Sequence, residues 1–300
     1  MYKLHIKNNI NKVNKLLKIK KHLNENKYIN YFKNNKVYHL YNIYHLGDNV
    51  FNLIFFYLIK TYIEEQNITI YYYANKEYIT QLNEFIYSNN IKLLSNENRP
   101  KQAVELWINN SFFNSKHDDA VNLVKPKKIQ FNLFYKQFFN SVLQKLNFNY
   151  KITKFYYEDL NLISRYNTIS EKYKNFDILI VNSTPLSGQF NYNKTEWDNY
   201  ICNLNKYFKI LTTTKVNENI LCTFDDNLTI KDIAALSTKA KIIIAINSGV
   251  VPGLLNYYTL TNVKKFYIFD VNNTYSYPNF EHKNNINEIT INDINKYLTK

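Results

Sequence analysis

Short apolar runs alternate along this chain with polar stretches whose apolar residues return at helical spacing, a pattern that predicts strands followed by helices. Val37 to His45 reads as a buried strand, followed by the turn Leu46-Gly47-Asp48-Asn49 and a helix from about Val50 to Glu65. A second strand, Ile68 to Ala74, precedes a helix from Lys76 to Tyr87. After a strand at Ala103 to Ile108, a long helix from Phe131 to Leu146 closes this half. Residues 147–175 are polar and aromatic without clear period. Alternation resumes with a strand at Asp177 to Asn182, a helix from Lys194 to Tyr207 and strands at Phe208 to Thr213 and Ile220 to Thr223. A helix capped by Thr229 runs from Ile230 to Lys239. The strand Lys241 to Ile246, the turn Asn247-Ser248-Gly249, a helix to about Tyr258 and a strand at Lys264 to Asp270 complete the pattern.

Regular alternation of this kind predicts an α/β fold whose parallel sheets are built from strand-helix-strand units. Two such series make two Rossmann-like domains with their sheets facing a cleft. The 300 residues fit that division, because single cores stop growing near ~250–300 residues. The expected organisation is a basic N-terminal extension over 1–36, a first domain over 37–150, an inter-domain connection over 151–175 and a second domain over 176–300.

Composition changes the picture mainly at the N-terminus. Apolar residues make up 45% of the chain, enough for a sizeable core. The net charge is +14, yet residues 1–36 carry ten Lys against the single Glu25. Ile10, Val13, Leu16, Leu17 and Leu23 lie among those lysines at roughly helical spacing. This predicts a basic amphipathic helix that either packs on the body or lies peripherally on an anionic membrane. Arg99 and Arg165 are the only arginines, and Lys, Asn, Tyr and Phe are abundant, as in AT-rich coding sequence. Because phosphate and guanine recognition favours Arg, nucleic acid is not an expected partner. Cys202 and Cys222 match no metal or redox spacing and read as buried thiols of a cytoplasmic protein. The longest apolar stretch, near Phe51 to Ile59, is too short to span a membrane.

The chain has four glycines, Gly47, Gly188, Gly249 and Gly253, and in so glycine-poor a sequence each marks a backbone requirement. Asn247-Ser248-Gly249-Val250 follows an apolar strand and opens a helix, where open α/β sheets bind phosphate through backbone amides; a plain tight turn is the alternative. Asp48 is either the cap of the following helix or a carboxylate at the cleft able to take a proton from an attacking hydroxyl. His39 and His45 fall at even spacing on one strand without further metal ligands nearby. No dinucleotide or phosphate-loop glycine motif is present.

The run His45-Leu46-Gly47-Asp48-Asn49-Val50 resembles the Gly-Asp turn of the heptosyltransferase-like glycosyltransferases of the GT-B fold. Leu228-Thr229-Ile230-Lys231-Asp232-Ile233-Ala234-Ala235-Leu236 and Ala240-Lys241-Ile242-Ile243-Ile244-Ala245-Ile246-Asn247-Ser248-Gly249 resemble that family's helix, strand and Asp-Ser-Gly or Asp-Thr-Gly turn. Asn247 stands where the family often has Asp, and Val250-Val251-Pro252 replaces its usual continuation. The resemblance implies inverting, metal-independent transfer from a nucleotide-diphosphate sugar to a hydroxyl of a glycan or lipid-linked acceptor, with no cofactor. It implies Asp48 as catalytic base and Gly47 and Asn49 in an acceptor-side loop. It further implies that Ser183, Thr184, Lys194, Ser248, Gly249 and Val250 hold the donor. A binding or scaffolding protein of the same fold, without catalysis, is the alternative.

Overall fold

The structure, a computed structural model, describes residues 35–108, 110, 112–113, 129–186, 192–269, 275–276 and 285–287. The expected basic helix and Gly188 lie outside the described residues.

The first sheet holds β1 (Val37–Asn42), β2 (Thr69–Ala74), β3 (Ile91–Ser95) and β4 (Val104–Glu105) in the order β3-β2-β1-β4, all parallel. On β1, Tyr38, Leu40 and Asn42 are buried while the intervening residues are at least partly exposed, the period of two expected of a strand. Helix α1 (Leu46–Leu58) starts four residues before the expected Val50, and the chain breaks at Ile59 before α2 (Lys60–Glu65). The early start has a local cause. His45 takes the extended N-cap conformation, and both the amide and the side chain of Asn49 donate to its carbonyl. Gly47 and Asp48 therefore occupy the first helical turn instead of a loop.

The helix expected from Lys76 to Tyr87 is a 3₁₀ turn at Lys76–Tyr78 and the short α3 (Ile79–Asn83). The half-exposed edge strand β3 was hidden by its weak alternation. The short β5 (Ile129–Gln130) and α4 (Phe131–Lys145) follow, and the aperiodic region contains α5 (Asn161–Thr168).

The second sheet joins β6 (Ile178–Val181), β7 (Ile210–Thr212), β8 (Leu221–Cys222), β9 (Ile242–Ile246), β10 (Lys265–Phe269) and β12 (Asn285–Asn287) in the order β12-β10-β9-β6-β7-β8, again parallel. A separate pair is formed by β5 and β11 (Tyr275–Ser276). Both faces of the second sheet are covered, so its central strands are continuously apolar. Ile178, Ile180, Ile244, Ile246, Tyr267 and Phe269 pack with Trp197 and Ile201 of α6 (Lys194–Leu204). Leu179, Val181, Ile243, Ala245, Phe266 and Ile268 face the opposite way, into a core that also takes in α7 (Ile230–Ser237) and the first sheet.

That core is continuous between the halves and is fastened by polar ties. Lys231 of α7 pairs at 2.5 Å with Asp159, and both are buried. Arg165 of α5 reaches Glu84 at 2.8 Å and Asp232 at 2.6 Å. Thr229 caps α7 as expected, in a reciprocal arrangement with Asp232, and its hydroxyl also donates to Glu84. The region read as a connection thus contributes side chains to the joint. The single helix expected after Gly249 is two short ones, α8 (Val251–Leu254) and α9 (Tyr257–Asn262). Asn256 starts α9 by accepting from the Thr259 amide. No helix among the described residues is long and apolar enough to cross a membrane. Cys222 is buried as expected, whereas Cys202 is half-buried on the partly exposed α6; both thiols are free.

Candidate functional site

Topology places the site. In the first sheet, β1 has β2 on one side and β4 on the other. In the second, β6 leads outward to β7 and β8, while β9 and β10 extend in the opposite direction. Such reversals open a crevice beyond the carboxyl ends of the strands, because the following connections depart to opposite sides. Residues following β1, β6 and β9 converge on one cavity of about 740 Å³.

Gly47 and Gly249 bring the two halves together there. A Cβ placed on Gly47 would lie 3.2 Å from the Gly249 Cα, and one placed on Gly249 would lie 3.4 Å from the Gly47 nitrogen. At Gly47 the approach of the Gly249 backbone leaves little room for a side chain, a constraint beyond the strand-to-helix turn that the sequence suggested.

Asp48 occupies the third position of α1 and lines the cavity. The cap is His45, so the capping alternative for Asp48 is corrected in its detail: its carboxylate accepts from the His45 backbone amide while facing the cavity. Burial pushes the Asp48 carboxyl above the ordinary range, against the opposing pull of His45 and that amide. Asn49 lies beneath the wall, fully buried, where it accepts from the Tyr72 hydroxyl at 2.7 Å and donates to the His45 carbonyl at 3.0 Å. It positions the turn that carries Asp48. His39 and His45 do not act as a pair, since β1 ends at Asn42; His39 stacks on Tyr71 and bonds Tyr73, and His45 lines the cavity.

Of the residues that the resemblance assigns to the donor, Ser183, Thr184, Ser248, Gly249 and Val250 line the cavity from the second half. Ser248 is buried and its hydroxyl has no hydrogen-bond partner among the described residues. Such a group is costly unless a ligand or water satisfies it. Asn182 fixes the neighbouring wall by accepting from the amides of Thr213 and Thr214 at 3.1 and 2.9 Å, tying the end of β6 to the end of β7. Ser183 meets the Thr213 hydroxyl at 3.2 Å.

Lys194 is not among the residues lining the cavity. It opens α6 on the surface, where it pairs with Asp198. An i, i+4 partner on its own helix accounts for its placement.

Several lining residues carried no sequence signal. Thr213 and Thr214 add hydroxyls from the segment after β7, and Thr223 adds one from the segment after β8. Tyr44, Tyr78, Trp107 and Tyr135 add aromatic rings to the lining from the first half. In a chain with 28 Tyr and 20 Phe, aromatic identity alone singles out none of them.

No protein-family model matches the chain, and no curated protein matches it in sequence. Comparison with solved structures gives a match to E. coli heptosyltransferase WaaC with ADP, at 10% identity and a TM-score of 0.50, covering 88% of this chain and 97% of that one. This is the heptosyltransferase fold. The glycosyl transferase family 9 structure from Veillonella parvula DSM 2008 matches at 11% identity and a TM-score of 0.47, over 88% of this chain and 89% of that one. The GT-B arrangement of two parallel-sheet halves around a cleft therefore agrees with the expected fold class.

Proposed function

We propose that this protein is an inverting, metal-independent glycosyltransferase that moves a sugar from a nucleotide-diphosphate sugar to a hydroxyl of a glycan or lipid-linked acceptor. The observation that carries this reading is the cavity itself, lined by Asp48 from the first half and by Ser248, whose hydroxyl has no partner among the described residues, from the second. Asp48 takes the proton of the acceptor hydroxyl as its oxygen forms a bond to the anomeric carbon. The bond from that carbon to the diphosphate breaks on the opposite face, and the leaving group departs with the electron pair. A carboxyl raised by burial is a stronger base than an ordinary one, which suits this role.

Charge builds on the diphosphate in the transition state and needs donors already in place. Ser248, Ser183 and Thr184 offer hydroxyls. The Gly249 and Val250 amides are not used in hydrogen bonds among the described residues. An ADP-sugar is the first donor to test, because the E. coli heptosyltransferase of similar fold is a complex with ADP.

One observation favours the alternative, a non-catalytic binding protein: none of the described residues lining the cavity is Lys or Arg. The two readings separate by experiment. Under the first, nucleotide diphosphates raise the unfolding midpoint and Asp48→Ala abolishes transfer while keeping that shift. Transfer that survives in Asp48→Ala removes the base assignment, and the absence of any nucleotide-induced shift removes the donor site.

A further inference from the structure

The two sheets are covered differently. Both faces of the second are packed, whereas residues of α1, α2, α3 and α4 join a core on one face of the first, that of Tyr38, Leu40, Ile70 and Tyr72. The register puts Val37, His39 and Tyr41 of β1, Tyr71 and Tyr73 of β2 and Leu94 of β3 on the other face. Of these only Tyr73 is buried; Val37 is 40% exposed and the rest are half-buried. Among the described residues, none of Val37, Tyr41, Tyr71, Tyr73 and Leu94 packs into either core. His39 ties this face together, stacked on Tyr71 with ring centroids 5.0 Å apart and bonded to the Tyr73 hydroxyl at 2.9 Å.

Topology explains the gap. β3 and β4 lie on opposite sides of the β2-β1 pair, so the right-handed rule sends their connection over the face opposite α1. A parallel sheet ordinarily carries a crossover helix there. Residues 96–103 are too few for one: they hold a 3₁₀ turn at Asn96–Asn98 and no α-helix. They meet the face at its carboxyl end, where the Arg99 guanidinium lies 3.8 Å from the centre of the Tyr41 ring.

The occupant follows from where the chain arrives. The carbonyl of Lys36, the residue before β1, accepts from the Thr69 amide at 2.7 Å, which fixes the incoming chain at the amino ends of β1 and β2, beside Val37. Upstream, Ile10, Val13, Leu16 and Leu17 make one apolar stripe at helical spacing, with Lys12, Lys15 and Lys18 on the opposite side. As a helix, residues 10–23 would span about 20 Å, the length of a six-residue strand such as β1. A helix about 10 Å wide covers two strands spaced ~4.8 Å apart, here β1 and β2. Residues 24–36 are enough extended chain to turn back onto the sheet.

We propose that residues 10–23 form the missing cover: their apolar stripe docks on the Val37, His39 and Tyr71 face of the first sheet and leaves Lys12, Lys15 and Lys18 in solvent. The stripe is then buried within the molecule instead of in a lipid surface. Because β1 leads directly into the turn that carries Asp48, the cover also braces the strand behind the first half's side of the cavity.

The test uses the full chain. Val13→Asp with Leu17→Asp is expected to lower the unfolding midpoint by about 5 °C. Lys12→Gln with Lys15→Gln and Lys18→Gln should leave it unchanged. Location is read from a double-mutant cycle. Val13→Ala with Leu17→Ala should lose less than additively when combined with Tyr71→Ala, and should add fully with Ile201→Val in the core of the second half. Additive losses with Tyr71→Ala overturn the placement. An unchanged midpoint in the Asp pair also overturns it, and loss of sedimentation with phosphatidylglycerol vesicles in that variant would assign the stripe to lipid. An Asp pair that converts a dimer to a monomer in analytical ultracentrifugation gives the face to a second copy and likewise overturns the proposal. Should the Asp pair fail to fold, the alanine cycle carries the same test.

Discussion

Lys231 and Asp159 face each other at 2.5 Å with their side chains only 5% and 4% exposed, and the Lys231 ammonium sits over the rings of Phe85, Tyr87 and Tyr157. Asp159 also accepts from the Tyr87 hydroxyl at 3.0 Å. The group joins the first half, the connecting region and α7 in one place. A charge buried here without its partner has no solvent to turn to, so breaking the pair from either side is expected to cost about 3–5 kcal/mol. Lys231→Met and Asp159→Asn should each show this in urea unfolding, and the double replacement should lose less than the sum of the two.

The same pair sets a pH dependence. Burial alone would raise the Asp159 carboxyl, but Lys231, the Asn161 amide and Tyr87 hold it below the ordinary range. A depressed folded value means that the contribution is present above the unfolded value of about 3.9 and is lost as pH falls through the folded value. The stability difference between the wild type and Asp159→Asn should therefore shrink in acid. A difference that stays constant down to the acid limb would remove the ion pair as its cause.

Asp48 has the opposite sign. Its folded value is raised, chiefly by burial, so the native state is penalised above that value and the penalty vanishes below the unfolded one. Asp48→Asn should stabilise the protein at neutral pH and give no gain in strong acid. If Asp48 is the base, the same variant should lose on the order of 10²–10⁴ in kcat. The pair of measurements, unfolding midpoint and turnover, tests whether a destabilised carboxylate is retained for chemistry.

At the contact between the halves, Gly47→Ala would press a methyl group against the Gly249 backbone at 3.2 Å. Neither backbone is the end of a flexible side chain, so the turns must separate, at a cost of about 1–3 kcal/mol. The expected outcome is a lower midpoint together with a smaller nucleotide-induced shift. An unchanged shift would mean that the turn spacing does not matter to the ligand.

Lys194 and Ser248 make a discriminating comparison. Ser248→Ala should diminish the nucleotide-induced shift, because it removes an unpaired hydroxyl from the cavity wall. Lys194→Ala should leave that shift unchanged, because its ammonium is paired with Asp198 on the surface of α6. The reverse result would return Lys194 to the donor site.

Strands and helices were legible in the sequence where they rest on local periodicity. The runs Asp177 to Asn182, Lys241 to Ile246 and Lys264 to Asp270 read as strands and Thr229 as a helix cap, and the structure has strands at Ile178–Val181, Ile242–Ile246 and Lys265–Phe269 and a helix capped by Thr229. The scarcity of glycine singles out Gly47 and Gly249, and at Gly47 the nearness of the other backbone gives the reason. What the sequence could not fix was which distant segments meet. Thr213, Thr214 and Thr223 reach the cavity because β7 and β8 lie beside β6, and Tyr44 meets Trp107 because β4 pairs with β1. Lys194 pairs with a neighbour one helical turn away, outside the cavity lining, and Lys231, one of 36 lysines, is a buried cation. Local periodicity reports the face that an element buries, whereas strand order and the packing of the two halves are summed over contacts far apart in the chain; those decided the cavity's chemistry.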